Sequence, residues 1–287
     1  MASNNMQDIK RRIKSVTSSE HITNAMKLVS AAKLRKAKAT FEKTTKNFHF
    51  IIESIESIFN NTSEVPTKYL QGNRDIQSTC YIIVTSNRGL CGSFNSNVIK
   101  EAELEMAGGP DPMIIAIGSR GRDYFGKRGY NIYSEYLAPP ETISFLETHE
   151  ISKPIIDMYN TGEIDEVKLL YTSYRSTLEQ RAKCVTLLPF HIEHSPDVAR
   201  HEKEVEYEPS VEAVFNYLVP KYVEIELYGA IVESATCEHA ARRMAMENAT
   251  DNAREMLDNL SLFYNRARQA SITDEIIEIV AGSEAQK

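Results

Sequence analysis

Hydrophobic positions recur at helical spacing at both ends of the chain. Towards the C-terminus, Met246, Ala249, Ala253, Met256, Leu260, Phe263, Ala267 and Ala270 follow one another at alternating steps of three and four. That alternation is the a/d seam of a coiled coil. No Pro follows Pro220, and no Gly interrupts the stretch from Ala235 until Gly282. Ala, Leu, Met, Arg and Glu dominate it, so intrinsic propensity agrees with the pattern. The spacing predicts one helix over 221–285, on the order of 100 Å long at ~1.5 Å rise per residue. A globular domain cannot bury a helix of that length. It must pair along its seam or penetrate another protein, and the alanines on the seam let a partner helix approach closely.

The N-terminus offers that partner. From Met6 to Phe59 there is neither Pro nor Gly. Phe41, Phe48, Ile52, Ile55 and Phe59 fall at steps of seven, four, three and four, and Ile9, Ile13 and Val16, then Ile22, Met26 and Val29, continue the stripe. The two ends therefore read as strands of one antiparallel coiled coil, with a compact module inserted at its base. The expected division is 1–60 for the first helix, 61–205 for the module and 206–287 for the second helix.

Within the module the period changes. After the stop signal Asn60-Asn61-Thr62-Ser63 and Pro66, short apolar runs at Cys80–Thr85 and Met113–Ile117 predict buried strands. Helices are expected over 94–106 and 118–128, a third strand near Tyr130–Tyr133, and a helix over 141–160 that Pro154 threatens to break. Two longer strands, Val167–Ser173 and Cys184–Phe190, are expected to form a hairpin across Leu178–Arg181. Alternating strand and helix implies a Rossmann-like parallel sheet with helices on its faces. The fold class is thus α/β, a Rossmann-like domain carried on a long antiparallel coiled coil.

Charge sharpens the picture of the first helix. Residues 1–46 hold eleven Lys and Arg against three Asp and Glu, in a chain of net charge -7. A solvated basic face accounts for this, and so does an acidic protein partner, a nucleic acid or an anionic membrane. Nucleic acid lacks support: there is no Trp, no aromatic interleaving in the basic stretch and no binding motif. No apolar run approaches the ~18 residues of a membrane span. Cys80, Cys91, Cys184 and Cys237 are scattered without zinc or disulfide spacing, which suits a reducing compartment.

Three stretches invite chemistry. Ser86–Ser93 (SNRGLCGS) and Gly118–Gly121 (GSRG) each sit between a strand and a helix, where a phosphate-binding loop belongs. Neither GxxxxGK[ST] nor GxGxxG is present, so tight turns are the simpler reading. His191, His194 and His201, with Glu193, Asp197 and Glu202 among them, have ligand chemistry suited to zinc. Pro196 and the position past the last strand favour an exposed polar connector instead. No nucleophile and base occur in a supporting context.

Several blocks carry a resemblance. Ile22–Ala37 (ITNAMKLVSAAKLRKA), Thr85–Asn95 (TSNRGLCGSFN), Glu206–Ser210 (EYEPS), ATDNA and Tyr264–Ser283 (YNRARQASITDEIIEIVAGS) resemble the gamma subunits of F-type ATP synthases, in register from end to end. Asn87 stands where Asp is common, and Ser283 where Ala is common. The cysteine insertion of chloroplast members is not seen.

The resemblance implies a non-catalytic rotor axle with no cofactor of its own. Its partners would be the alpha and beta subunits around the coiled coil, with the epsilon subunit and the c-subunit ring at the module. Arg268 and Gln269 match positions that hydrogen-bond a loop of beta, and Thr273 and Glu275 match neighbouring coupling positions. Met26 matches the position facing the acidic lever loop of beta, and Arg242 its charged counterpart on the other helix. Tyr207 and Glu208 match the foot on the c ring. With no mitochondrial presequence seen, the expected place is the cytoplasmic face of a bacterial membrane, held peripherally. Two other readings stay open: an adaptor binding an acidic partner through its basic helix, and a nucleotide-binding Rossmann-like enzyme.

Overall fold

Strand β1 (Thr79–Val84) anchors the sheet, and all six of its residues are buried. A strand buried on both faces reads as a continuous β-branched run rather than an alternating one, and TCYIIV is such a run. The computed structural model describes residues 2–61, 66, 69, 76–109, 112–190 and 208–284. The elements are α1 (Ala2–Asn61), β1, α2 (Phe94–Met106), β2 (Met113–Ile117), α3 (Ser119–Gly126), β3 (Asn131–Tyr136), α4 (Phe145–Thr161), β4 (Glu166–Tyr174), β5 (Gln180–Leu188) and α5 (Val211–Glu284). The sheet order is β3-β2-β1-β4-β5. β1, β2, β3 and β4 run parallel, and β5 returns antiparallel to β4. This is the parallel sheet with an edge hairpin that the pattern predicts.

The chain divides into two compact units, residues 32–241 and residues 1–31 with 242–287. In the first, each sheet face has its own core. Ile82, Val84, Ile115 and Leu169 point to Ile151 and Ile155 of α4 and to Phe215, Val219 and Val223 of α5. Tyr81, Ile83, Ile114 and Leu170 point the other way, to Val98 and Ala102 of α2 and Phe125 of α3. Alternate residues of one strand thus feed two cores, as the period-two pleat requires.

Burial overrides two proline signals. α5 begins at Val211 rather than Lys221 and carries Pro220 inside it. An internal proline costs about 3 kcal/mol, which the complete burial of Phe215, Val219 and Val223 around it offsets. α4 likewise continues through Pro154, with Ile151, Ile155 and Ile156 buried beside it. It starts at Phe145, later than expected. Ser144 and Glu147 form a reciprocal capping box there, and Pro140–Thr142 is a separate 3-10 turn. The S-x-x-E spacing announces that start in the sequence.

In the second unit α1 and α5 lie antiparallel, as two side-chain contacts show: Thr250 Oγ1 donates to Thr23 Oγ1 at 2.9 Å, and Arg254 Nε donates to Glu20 Oε1 at 3.1 Å. The seam differs from the apolar stripe. On α1 one row of less exposed positions runs Met6, Ile9, Ile13, Val16, Glu20, Thr23, Lys27 and Ser30, at steps of three and four. Ile22 and Val29 are exposed. Two polar members of the seam, Glu20 and Thr23, are hydrogen-bonded across it, so the register does not need apolar residues at every step. On α5, Met246, Ala253, Leu260 and Ala267 hold the seam as expected. The alternate positions are Thr250, Leu257, Tyr264 and Ser271, each one residue beyond the expected Ala249, Met256, Phe263 and Ala270. Leu257 and Met256, and Tyr264 and Phe263, are both apolar neighbours, so hydrophobicity alone cannot choose between them. Met256 and Phe263 face outward, more than half exposed.

Candidate functional site

In open parallel sheets ligands bind beyond the carboxyl ends of the strands, where the strand order reverses. Here that point lies between β1 and β4, and the chain itself fills it. Cys91 and Phe94 from the loop and helix after β1 form a buried cluster with Cys237 of α5, joined by Tyr174 and Ala241. The ring of Phe41 on α1 meets Tyr174 edge-on, 5.8 Å between centroids. Glu233 of α5 closes the end of β4, accepting from the Tyr174 N–H at 2.7 Å and the Ser173 hydroxyl at 2.9 Å. Burial pushes the Glu233 carboxyl above its ordinary value, although those two hydrogen bonds pull the other way.

The start of α3 is closed in the same manner. The Ser119 N–H donates to Asn87 Oδ1 at 2.8 Å, Arg120 N–H to the Ser86 carbonyl at 3.1 Å, and Gly121 N–H to Thr85 Oγ1 at 2.9 Å. These are the amides with which a helix start binds phosphate, and the β1 loop has taken them. Gly118 sits at φ 96°, where an added Cβ would stand 2.1 Å from the Thr85 carbonyl oxygen. The glycines therefore serve close backbone approach. The amide of Asn87 does two jobs, since its Nδ2 also donates to the Leu137 carbonyl at 2.8 Å.

The cysteines are chemically quiet. Burial pushes the thiols of Cys80 and Cys184 up to about 12 and raises that of Cys237 as well, away from the range of reactive thiols. Among the described residues no group of three or more His, Cys, Asp or Glu is arranged to hold a metal. His191, His194 and His201 lie outside the described residues, as does Tyr207. No helix among the described residues is long and apolar enough to cross a membrane.

The remaining candidates stand on helix surfaces, apart from Glu208, which lies in the bend before α5. Arg268, Gln269, Thr273 and Glu275 are all exposed on α5. Thr273 Oγ1 donates to the Gln269 carbonyl at 2.9 Å, so these two share a turn. Met26 of α1 and Arg242 of α5 are half-buried, and Glu208 is exposed. In the register set by Thr23–Thr250 and Glu20–Arg254, Met26 faces the turn of Met246 and Glu247, about one turn from Arg242. Continuing the α5 seam past Ser271 lands on Asp274 and Glu278, so pairing stops there. Every residue from Ile272 to Ala281 is exposed, including Ile272, Ile276, Ile277, Ile279 and Val280. Apolar periodicity foretold a long helix here, and the acidic seam positions are the signal that its end is unpaired.

A self-filled ligand crevice, paired long helices and an aliphatic helix end turned outward define a subunit built to be gripped by other chains, rather than a nucleotide-binding domain. Comparison with known proteins agrees. The family described as ATP synthase matches residues 5–286. The chain is 47% identical to the ATP synthase gamma chain of Alkaliphilus metalliredigens, over 98% of this chain and 99% of that one. It is 41% identical to the sodium ion specific ATP synthase gamma chain of Acetobacterium woodii, over 98% of each. Among solved structures, the central stalk and c-ring of the Tetrahymena thermophila mitochondrial ATP synthase contains a chain with TM-score 0.64 and 25% identity, covering 79% of this chain and 99% of that one. A chain of the Euglena gracilis mitochondrial ATP synthase, at 19% identity and TM-score 0.70 over 99% of this chain and 95% of that one, shares the fold. The chain belongs to the ATP synthase gamma chain family.

Proposed function

We propose that this chain is the rotating central shaft of an F-type ATP synthase. It couples ion flow through a membrane sector to ATP synthesis or hydrolysis at sites on the beta subunits, and does no catalysis itself. The observation that carries the reading is the far end of α5, exposed from Ile272 to Ala281 with five aliphatic side chains, in a chain of the gamma family. A helix surface of that kind favours an apolar sleeve around it, and a ring of alpha and beta subunits supplies one. The arms 1–60 and 206–287 make the shaft, and 61–205 makes the module facing the epsilon subunit and the c ring. The whole is held peripherally at the cytoplasmic face of a bacterial membrane.

In this reading Arg268 and Gln269 hydrogen-bond a loop of beta, where the guanidinium fork suits carboxylates. Thr273 and Glu275 act beside them, Met26 and Arg242 meet the acidic lever of beta, and Tyr207 and Glu208 rest on the polar loops of the c ring. The two helices present different residues on each side. Each angular position therefore offers each beta subunit a different contact, and a difference in contact free energy between states is what a coupling requires. The test is ATP hydrolysis by the purified chain mixed with matching alpha and beta subunits, beside alpha and beta alone. A defined complex with a sharp gain in rate is expected, reduced when Arg268 and Gln269 are both replaced by Ala. Failure to assemble, with all chains folded, overturns the reading.

A further inference from the structure

Helices packed through small residues leave room when the facing side chains are both short. Ala37 on α1 and Ala235 on α5 both line one cavity of about 280 Å³ within the unit 32–241, closed on a third side by the 3-10 turn and Ile143. Protein interiors are otherwise packed to crystal density, so an opening of this size is a feature of the fold. Its walls are largely apolar: Ala37, Ile143, Val232 and Ala235 are buried, and Tyr228 adds an aromatic face.

The polar groups are gathered around one carboxylate. Glu141 Oε1 accepts from Lys33 Nζ at 2.9 Å, and His239 Nε2 stands 3.8 Å from the same oxygen. Burial pushes the Glu141 carboxyl up, but the Lys33 hydrogen bond, its own backbone amide and the neighbouring His239 and Lys33 charges together hold it below its ordinary value. Glu141 is therefore ionised at neutral pH and already matched by Lys33. Lys36 also lines the cavity, is exposed at its solvent side, and has no ion pair among the described residues. The cavity thus has an apolar body and one uncompensated cation at its mouth.

We infer that this cavity is a binding site for a small amphipathic anion, an aromatic or short aliphatic carboxylate, whose apolar body lies between Ala37 and Ala235 and whose carboxylate meets Lys36. Largely apolar clefts with a few placed polar groups are the usual form of small-ligand sites, and the amino group supplies orientation. An occupant would touch α1, the 3-10 turn and α5 at once, and so fasten three elements of this unit together. The inference goes beyond the proposed shaft role and stands without it.

The test uses 2-naphthoate as the probe and 2-naphthamide as its neutral counterpart, titrated calorimetrically into the folded full chain. Saturable binding of one naphthoate per chain is expected, ~10-fold tighter than the amide. Lys36→Gln should remove that preference and leave the amide's affinity unchanged. Ala235→Leu should weaken both ligands at least ~10-fold by filling the cavity; if circular dichroism shows that variant misfolded, Ala37→Leu takes its place. Naphthoate that fails to saturate, binds no better than the amide, or binds undiminished to the filled variant overturns the inference.

Discussion

The sheet unit and the helix pair solve cohesion differently. β1 buries all six of its residues between two cores, so the sheet unit is held by apolar area. The helix pair of residues 1–31 and 242–284 carries Glu20, Thr23, Lys27 and Ser30 on its α1 seam, and Thr250 and Ser271 on its α5 seam. Such contacts set register while contributing little free energy each. That unit also turns large apolar side chains outward, among them Ile22, Val29, Met256 and Phe263. Stability and binding surface are thereby arranged differently: the sheet unit keeps its strand residues inside, and the helix pair keeps one apolar row for its seam and offers another.

The contrast can be broken most sharply in the sheet unit. Gly118→Ala is expected to destabilise the chain by ~3 kcal/mol or more, because both its positive φ and the Thr85 carbonyl forbid a side chain. Urea unfolding measures this, and an effect below about 1 kcal/mol would mean that the β1 loop yields easily. In the helix pair, Thr250→Val leaves Thr23 without its donor and should cost about 1 kcal/mol.

Register gives a two-sided test. Leu257→Ala should weaken the isolated chain by ~1 kcal/mol and Met256→Ala by no more than ~0.5, since only Leu257 faces the seam. In assembly with alpha and beta subunits the order should invert, with Met256→Ala the more harmful to complex formation. Equal effects in both assays would dissolve the distinction between seam and outer face.

Glu233 ties the filled crevice to pH. Its folded-state pKa lies above the ordinary value of 4.5. Ionising it therefore weakens folding: its favourable contribution is complete below 4.5 and is lost as pH rises through the raised value. Glu233→Gln, which keeps the shape and removes the charge, should gain on the wild type as pH rises from 4.5 through the raised value in parallel urea titrations. A constant difference across that range would remove Glu233 from the pH response. The smallest effect belongs to Arg254→Ala: its guanidinium is 53% exposed beside Glu20, and such pairs contribute roughly 0–1 kcal/mol.

How far the sequence foretells all this depends on which physical signal each element carries. The buried strands were legible because β-branched runs bounded by turn residues have few alternatives. α2, expected over 94–106, forms over Phe94–Met106. The start of α5 ahead of Pro220, and the passage of α4 through Pro154, were obscured because tertiary burial outweighs local propensity, which no periodicity records. On α5 the seam was half legible: Met246, Ala253, Leu260 and Ala267 hold it, while the choice between Met256 and Leu257 depends on which side the partner helix lies. The polar seam of α1 was hidden for a different reason. Thr23 looks like a surface residue until Thr250, more than two hundred positions away, supplies its partner. The glycine loops read as turns in the sequence, but the self-capping by Asn87 and Thr85 does not show there, because hydrogen bonds between distant loops leave no local spacing.

The first turn of a helix is ordinarily where amide protons exchange fastest with solvent, since nothing within the helix holds them. At α3 the first three are held by Asn87, Ser86 and Thr85, and Thr85 directly follows the most deeply buried strand of the sheet. Those protons can leave only when the end of β1 lets go. Deuterium should thus enter Ser119, Arg120 and Gly121 on the slow clock of the sheet, so that the start of a short helix keeps the time of the whole core.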